Sequence, residues 1–180
     1  MSPEDFLFQV DKGSIVLDVR SPAEFLEGHI SGAVSWPLFS NDERAQIGTL
    51  YKQRSREDAV DLGLELIGPR MKELAQYGRH LFESQSSSGG SKVRHALLIH
   101  CWRGGMRSES VAWLLRTAGI PTVVLEGGYK AFRTFARTQF DRTINFAVLG
   151  GLTGSAKTET LHELSKLPGE SVIDLEGLAR

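Results

Sequence analysis

His100-Cys101-Trp102-Arg103-Gly104-Gly105-Met106-Arg107-Ser108 contains the only cysteine in the chain. An apolar run, Ala96-Leu97-Leu98-Ile99, precedes it and reads as a buried strand. Glu109-Ser110-Val111-Ala112-Trp113-Leu114-Leu115-Arg116 follows, apolar at helical spacing. The cysteine therefore stands where a strand ends and a helix begins. A glycine loop closing onto a helix N-terminus turns several backbone N–H groups toward one point. A sulfur at that point meets those donors, the helix dipole and the guanidinium groups of Arg103 and Arg107. All favour thiolate, so Cys101 is expected to be a low-pKa nucleophile. The loop Arg103, Gly104, Gly105, Arg107, Ser108 is expected to bind a tetrahedral oxyanion such as phosphate or a sulfur or selenium analogue. A lone cysteine is more often a small buried hydrophobe, but a glycine pair between two arginines argues for chemistry.

Composition bounds what surrounds this stretch. The 180 residues suit one domain, or one domain with part of another. Hydrophobic residues make up 41%, enough for a core, and no run is long enough to span a membrane. The N-terminus, Met-Ser-Pro-Glu-Asp, does not resemble a signal peptide. One cysteine forms no intramolecular disulfide, which suits a reducing cytoplasm, and no cysteine–histidine cluster suggests a metal site. A formal net charge of −1 confines any nucleic-acid surface to a local patch.

From the N-terminus, Pro3 to Val10 reads as an amphipathic helix and Ser14 to Arg20 as a β-branched strand. Ser21-Pro22-Ala23-Glu24 carries the signature of a helix start: serine at the N-cap, proline at N1, glutamate three residues on. Ala33 to Pro37 is a short strand. The run Asp18-Val19-Arg20-Ser21-Pro22-Ala23-Glu24-Phe25 with Gly28-His29-Ile30-Ser31-Gly32-Ala33 resembles the N-terminal signature of the rhodanese family. That resemblance implies a parallel sheet wrapped by helices, with a nucleophilic cysteine on the loop after the central strand, where Cys101 stands. Alternating strands and helices point independently to a parallel α/β sheet, with a site at the carboxyl ends of its strands.

Residues 41–84 read as a helical insert in a rhodanese domain spanning 1–142. The insert is capped at Asn41-Asp42-Glu43-Arg44, carries a basic run Lys52-Gln53-Arg54-Ser55-Arg56, and breaks at Gly68-Pro69. It serves either as a cover for one face of the sheet or as a substrate contact; the cover is favoured. Gln85 to Ser91 reads as a flexible loop. Thr122 to Leu125 is the next strand, and Glu126-Gly127-Gly128-Tyr129-Lys130 opens a helix on which Lys130, Arg133 and Arg137 share a face, with Arg142 beyond. Such a stripe is a solvated face or a contact for an RNA backbone.

Residues 143–180 read as the start of a P-loop domain, incomplete at Arg180. Asn145 to Leu149 is a strand candidate. Gly150-Gly151-Leu152-Thr153-Gly154-Ser155-Ala156-Lys157-Thr158 follows the phosphate-loop pattern, with Ala156 where that pattern has its second glycine. Gly151, Thr153, Gly154, Ser155, Lys157 and Thr158 are the expected diphosphate-binding residues, and Thr158 could hold Mg2+. The methyl of Ala156 is tolerable only at negative φ with nothing packed against it. Ser171 to Leu175 reads as one more strand. Two strands and a helix cannot bury such a domain's core, so this end reads as a fragment or as a surface docked on a partner.

A rhodanese module joined to a P-loop resembles the tRNA 2-selenouridine synthase family. The resemblance rests on Asn41-Asp42-Glu43-Arg44, Gly48-Thr49, Tyr51-Lys52-Gln53, Cys101-x-Arg103-Gly104-Gly105-x-Arg107-Ser108, Val124-Leu125-Glu126-Gly127-Gly128-Tyr129-Lys130-Ala131, Gly151-x-Thr153-Gly154 and Asp174-Leu175-Glu176-Gly177-Leu178-Ala179. It implies replacement of the sulfur of 2-thiouridine at the tRNA wobble position (U34) by selenium from selenophosphate. The intermediate is an S-geranylated tRNA made from geranyl diphosphate. On this chain Cys101 would carry selenium as a selanyl adduct, and the Gly151–Thr158 loop would hold the diphosphate. Rivals remain open: a rhodanese-type sulfurtransferase, a cysteine-dependent phosphatase (His100-Cys101, five residues, Arg107-Ser108, with Asp18 as candidate acid), or an inactive fragment or binding module.

Overall fold

The computed structural model describes residues 1–85, 95–141, 143 and 146–178. The chain divides into two compact units, Met1–Asp141 and Arg142–Arg180. Expected features at 86–91 and at Arg142, Asn145 and Ala179 lie outside the described residues.

In the first unit, α1 (Pro3–Asp11) is capped by the Ser2 hydroxyl and leads into β1 (Val16–Asp18). The Ser21–Glu24 capping box starts α2 (Pro22–Leu26), and β2 (Val34–Ser35) follows. The insert forms α3 (Asn41–Gln53), α4 (Arg56–Ile67), a 3-10 turn at Gly68–Arg70 and α5 (Met71–Ser84). The cap of α3 is Ser40, in a second capping box with Glu43. Asn41 instead accepts the Ala23 N–H at 2.9 Å, tying α3 to α2. Then come β3 (Leu97–His100), α6 (Met106–Thr117), β4 (Thr122–Val124) and α7 (Gly128–Gln139).

The strands form a parallel sheet in the order β2-β1-β3-β4, with Leu17 opposite Ile99 and Asp18 opposite His100. Consecutive strand residues serve opposite faces, as a pleat requires. Leu17, Leu97 and Ile99 pack with Val111, Ala112 and Leu115 of α6, joined by Ile47, Leu66, Leu74 and Leu81 from the insert. Val16 and Leu98 pack on the other side with Phe6 of α1 and Tyr129 of α7. The insert thus covers one face of the sheet.

Beneath the cysteine loop lies a buried polar pair. Arg20 (1% exposed) donates from Nε to both oxygens of Asp18 (0% exposed), at 2.9 and 3.0 Å. Its Nη2 also bonds Asp18 and reaches the Gly28 carbonyl at 2.7 Å, and its guanidinium lies 4.0 Å over the Tyr129 ring. This buried, charge-paired guanidinium ties the ends of β1 and α2 to α7.

In the second unit, α8 (Lys157–Leu164) and α9 (Leu175–Leu178) are helical. The strand expectations over Asn145–Leu149 and Ser171–Leu175 are not met among the described residues: 146–149 and 171–174 form no regular secondary structure, and Leu175 begins α9. A strand exists only through its hydrogen-bonded neighbours, and apolar composition alone supplies none.

Asp18→Ala leaves the Arg20 guanidinium buried without its counter-charge. It is expected to cost about 3–5 kcal/mol, read as a lower urea midpoint.

Candidate functional site

The site is assembled at the carboxyl end of the sheet, where β3 delivers Cys101 and β1 delivers the loop into α2. The Cys101 side chain is 3% exposed. Its Sγ lies 3.2 Å from Ser108 Oγ and 4.0 Å from the Gly105 carbonyl. Burial pushes the thiol up. The Ser108 hydroxyl and the backbone N–H groups of Ser108, Arg103 and Gly105 outweigh it and hold the thiol below its ordinary range. This is the expected nucleophile environment.

The loop's shape comes from a second loop that sequence reading had not connected to it. The Tyr129 N–H donates to the Cys101 carbonyl at 2.9 Å, and the Lys130 N–H to the Trp102 carbonyl at 3.0 Å. The first turn of α7 thus takes up the carbonyls of the cysteine loop. The two backbones touch: a Cβ on Gly104 (φ +65°) would stand 2.6 Å from the Leu125 carbonyl, and one on Gly128 (φ +60°) 2.5 Å from the Cys101 carbonyl. Only glycine fits at either position. The signal was Gly127-Gly128 at a strand-to-helix turn.

The arginines divide. Arg103 is exposed in the loop, among the backbone groups that face the thiol. Arg107 is engaged elsewhere: Nη1 and Nη2 donate to Glu24 Oε2 and Oε1 at 2.7 and 3.1 Å. The expectation that both guanidinium groups favour the thiolate is therefore corrected. The amides and Ser108 carry that effect, because a bidentate carboxylate holds Arg107. Burial raises the Glu24 carboxyl, but Arg107, the Ser21 N–H and Arg44 pull it down to about 2. Glu24, read from the sequence only as a capping residue, is a node between α2, α3 and α6. The insert also reaches the lip of the site, with Arg56 Nη2 3.7 Å from Met106 Sδ.

Asp18, the candidate phosphatase acid, is sealed under the loop on Arg20. His100 (0% exposed) lies 3.7 Å from Asp18 and is pushed down to about 4 by burial, so it is neutral near pH 7. Neither residue is exposed to donate a proton to a leaving group.

In the second unit, the loop from Gly151 closes on one carbonyl. Leu152 O accepts Ser155 N–H (3.3 Å), Ser155 Oγ (2.8 Å) and Lys157 Nζ (2.8 Å). Gly151, Thr153, Gly154, Ser155 and Lys157 thus form one turn opening onto α8, with Thr158 in its first helical turn. Ala156 has φ +58° and is the only non-glycine residue with positive φ among those described. The condition of negative φ is not met: the backbone is the left-handed one that the pattern's glycine would adopt freely. Lys130, Arg133 and Arg137 are all exposed along α7, which contains no acidic residue. Among the described residues no acidic–histidine–cysteine group suits a metal ion, and no helix is long and apolar enough to cross a membrane.

A family model for the rhodanese-like domain matches residues 2–134. The chain belongs to the rhodanese-like domain family. This rhodanese-like chain is 37% identical over 168 residues to a tRNA 2-selenouridine synthase of Pseudomonas putida, covering 91% of this chain and 42% of that protein. It is 38% identical over 178 residues to one from Cronobacter sakazakii, covering 98% and 44%. The chain spans less than half the length of these curated relatives. Among solved structures, it is 35% identical to the N-terminal domain of a Clostridium difficile 630 protein described as ATP/GTP-binding. The TM-score is 0.61, with 68% of this chain and 88% of that one covered.

Ser108→Ala removes one of the donors that lower the thiol. Its alkylation–pH profile is expected to move upward, with slower alkylation at pH 7, because one of the hydrogen bonds that favour the thiolate is gone. Ala156→Gly relieves a left-handed alanine. It is expected to stabilise the start of α8 by about 1 kcal/mol, read as slower amide exchange over residues 157–164.

Proposed function

We propose that this chain is the rhodanese-bearing portion of a tRNA 2-selenouridine synthase, acting on 2-thiouridine at the wobble position of cytoplasmic tRNA. The supporting observation is the Cys101 thiol, held low by Ser108 and three loop amides within a chain similar to those synthases over nine-tenths of its length.

In the reaction, geranyl diphosphate alkylates the thiouridine sulfur and releases diphosphate. Selenium then replaces the sulfur at C2, and geranyl thiol departs. A thioether-type sulfur leaves far more readily than a thiocarbonyl sulfur. Cys101 takes up the selenium of selenophosphate: a sulfur–selenium bond forms, the phosphorus–selenium bond breaks, and water completes the phosphate. Selenium gives up two electrons in that step, so loading is coupled to a disulfide-class acceptor, and a thiol returns the electrons on release. The loop amides with Arg103 bind the phosphate group of the donor. The Gly151–Thr158 loop, with Lys157, binds the diphosphate of the prenyl donor, Ala156 adopting the left-handed backbone of the pattern's glycine at a cost in local stability, and Thr158 would supply an oxygen ligand to Mg2+ there. Lys130, Arg133 and Arg137 contact the tRNA backbone, a role that an exposed stripe free of acidic residues suits.

The phosphatase reading has its candidate acid, Asp18, sealed beneath the loop, and the sulfurtransferase reading gives the phosphate loop no task. Intact-protein mass after incubation with selenophosphate and a small disulfide tests the proposal. The expected result is one selenium atom added to the wild type and none to Cys101→Ser. A phosphoryl adduct or free phosphate without selenium uptake would overturn it in favour of a phosphatase. No adduct would indicate a binding module.

A further inference from the structure

The sulfur's environment depends on Ser108, which supplies both a hydroxyl at 3.2 Å and an N–H. Ser108 is the third residue of α6, so its position is the position of that helix's first turn. The turn has no side-chain cap: Gly105 stands at the N-cap and makes no side-chain hydrogen bond. Within the turn the Ser108 hydroxyl donates to the Gly105 carbonyl at 3.0 Å; the tie to the rest of the fold is Arg107, the second residue, gripped at two points by Glu24. Glu24 is itself anchored. Its Oε2 accepts the Ser21 N–H at 3.0 Å and lies 3.7 Å from Arg44 Nε on α3.

We infer that Glu24 is a positioning residue for the Cys101 thiol: through Arg107 it holds the first turn of α6, and with it Ser108, against the sulfur. The ion pair is partly shielded, its side chains 18% and 20% exposed, and its paired N–H···O geometry fixes orientation as well as distance. The first turn of α6, which no side chain caps, is thus tied through Arg107 to a carboxylate 83 residues away.

The sign of the effect separates this role from simple electrostatics. The charged and titratable groups around the loop are Asp18, Arg20 and His100 below it, Arg103 within it, Tyr129 and Lys130 on α7, Glu109 on α6, Arg56 at the lip, and Glu24, Arg44 and Arg107 at its side. Removing the negative charge of Glu24 lowers a thiol's pKa through space. Loosening Ser108 raises it. Glu24→Gln isolates the two, because glutamine still serves the third position of the capping box in α2 while losing its charge on Arg107.

The inference rests on Cys101 being the reactive thiol, and it is tested without selenophosphate or tRNA. The test is the pH dependence of iodoacetamide alkylation in the full chain, with circular dichroism as a check on folding. In Glu24→Gln the midpoint is expected to rise, with alkylation at pH 7 slowed about threefold or more. Arg107→Lys keeps the charge but loses the two-point grip, and is expected to move the midpoint the same way. It is the second reading should Glu24→Gln fail to fold. A midpoint unchanged or lowered in the folded variants, even with a reduced melting temperature, would overturn the inference and leave Glu24 a stabilising residue only. A wild type that alkylates normally but takes up no selenium would sink the proposed function and leave this inference standing.

Discussion

The cysteine loop depends on where its carbonyls go. A five-residue turn at the end of a buried strand carries as many acceptors as donors, and donors converge on a sulfur only if the acceptors are satisfied elsewhere. The first turn of α7 does this, taking the carbonyls of Cys101 and Trp102 on two of its own unpaired N–H groups. One helix start therefore satisfies two needs: its orphan donors find partners, and the neighbouring loop's donors are left to face the thiol. The approach is close enough that Gly104 and Gly128 have no room for a methyl group.

Charge is placed at one remove from the reacting sulfur. Arg20 and Asp18 neutralise each other beneath the loop, and Arg107 and Glu24 do so beside it. Both pairs spend a guanidinium on holding backbone in place. Arg103 remains in the loop as the exposed cation. A thiol lowered mainly by amides and a hydroxyl keeps its tuning when a substrate anion arrives, because those donors are fixed by the fold and do not swing on long side chains. The buried, neutral His100 adds no charge of its own near pH 7.

Much of this was legible in the sequence. Apolar runs at Leu97–Ile99 and Thr122–Val124, helical spacing after Met106, and the Ser21–Glu24 cap each carry a local period or a local hydrogen bond, and each forms as read. The stretches at 146–149 and 171–174 carry the same apolar signal without a ladder, because a strand requires a partner that composition does not name. Ser40 in place of Asn41 as the cap of α3 is a one-residue difference between two good capping residues. Tertiary contact settled it by giving Asn41 to the Ala23 N–H.

By itself, the sequence determined the parallel α/β order, the cysteine at a strand-to-helix junction and the glycine-rich loop before Lys157, since each is written in adjacent residues. Tertiary structure alone decided that Arg107 serves Glu24 and not the thiol, that Asp18 is sealed on Arg20, and that Gly128 completes the loop of Cys101. Arg107 and Glu24 lie 83 residues apart in the chain, and a guanidinium goes to whichever carboxylate the fold brings within reach. Residue type fixes what a side chain can bond, and only packing fixes what it meets.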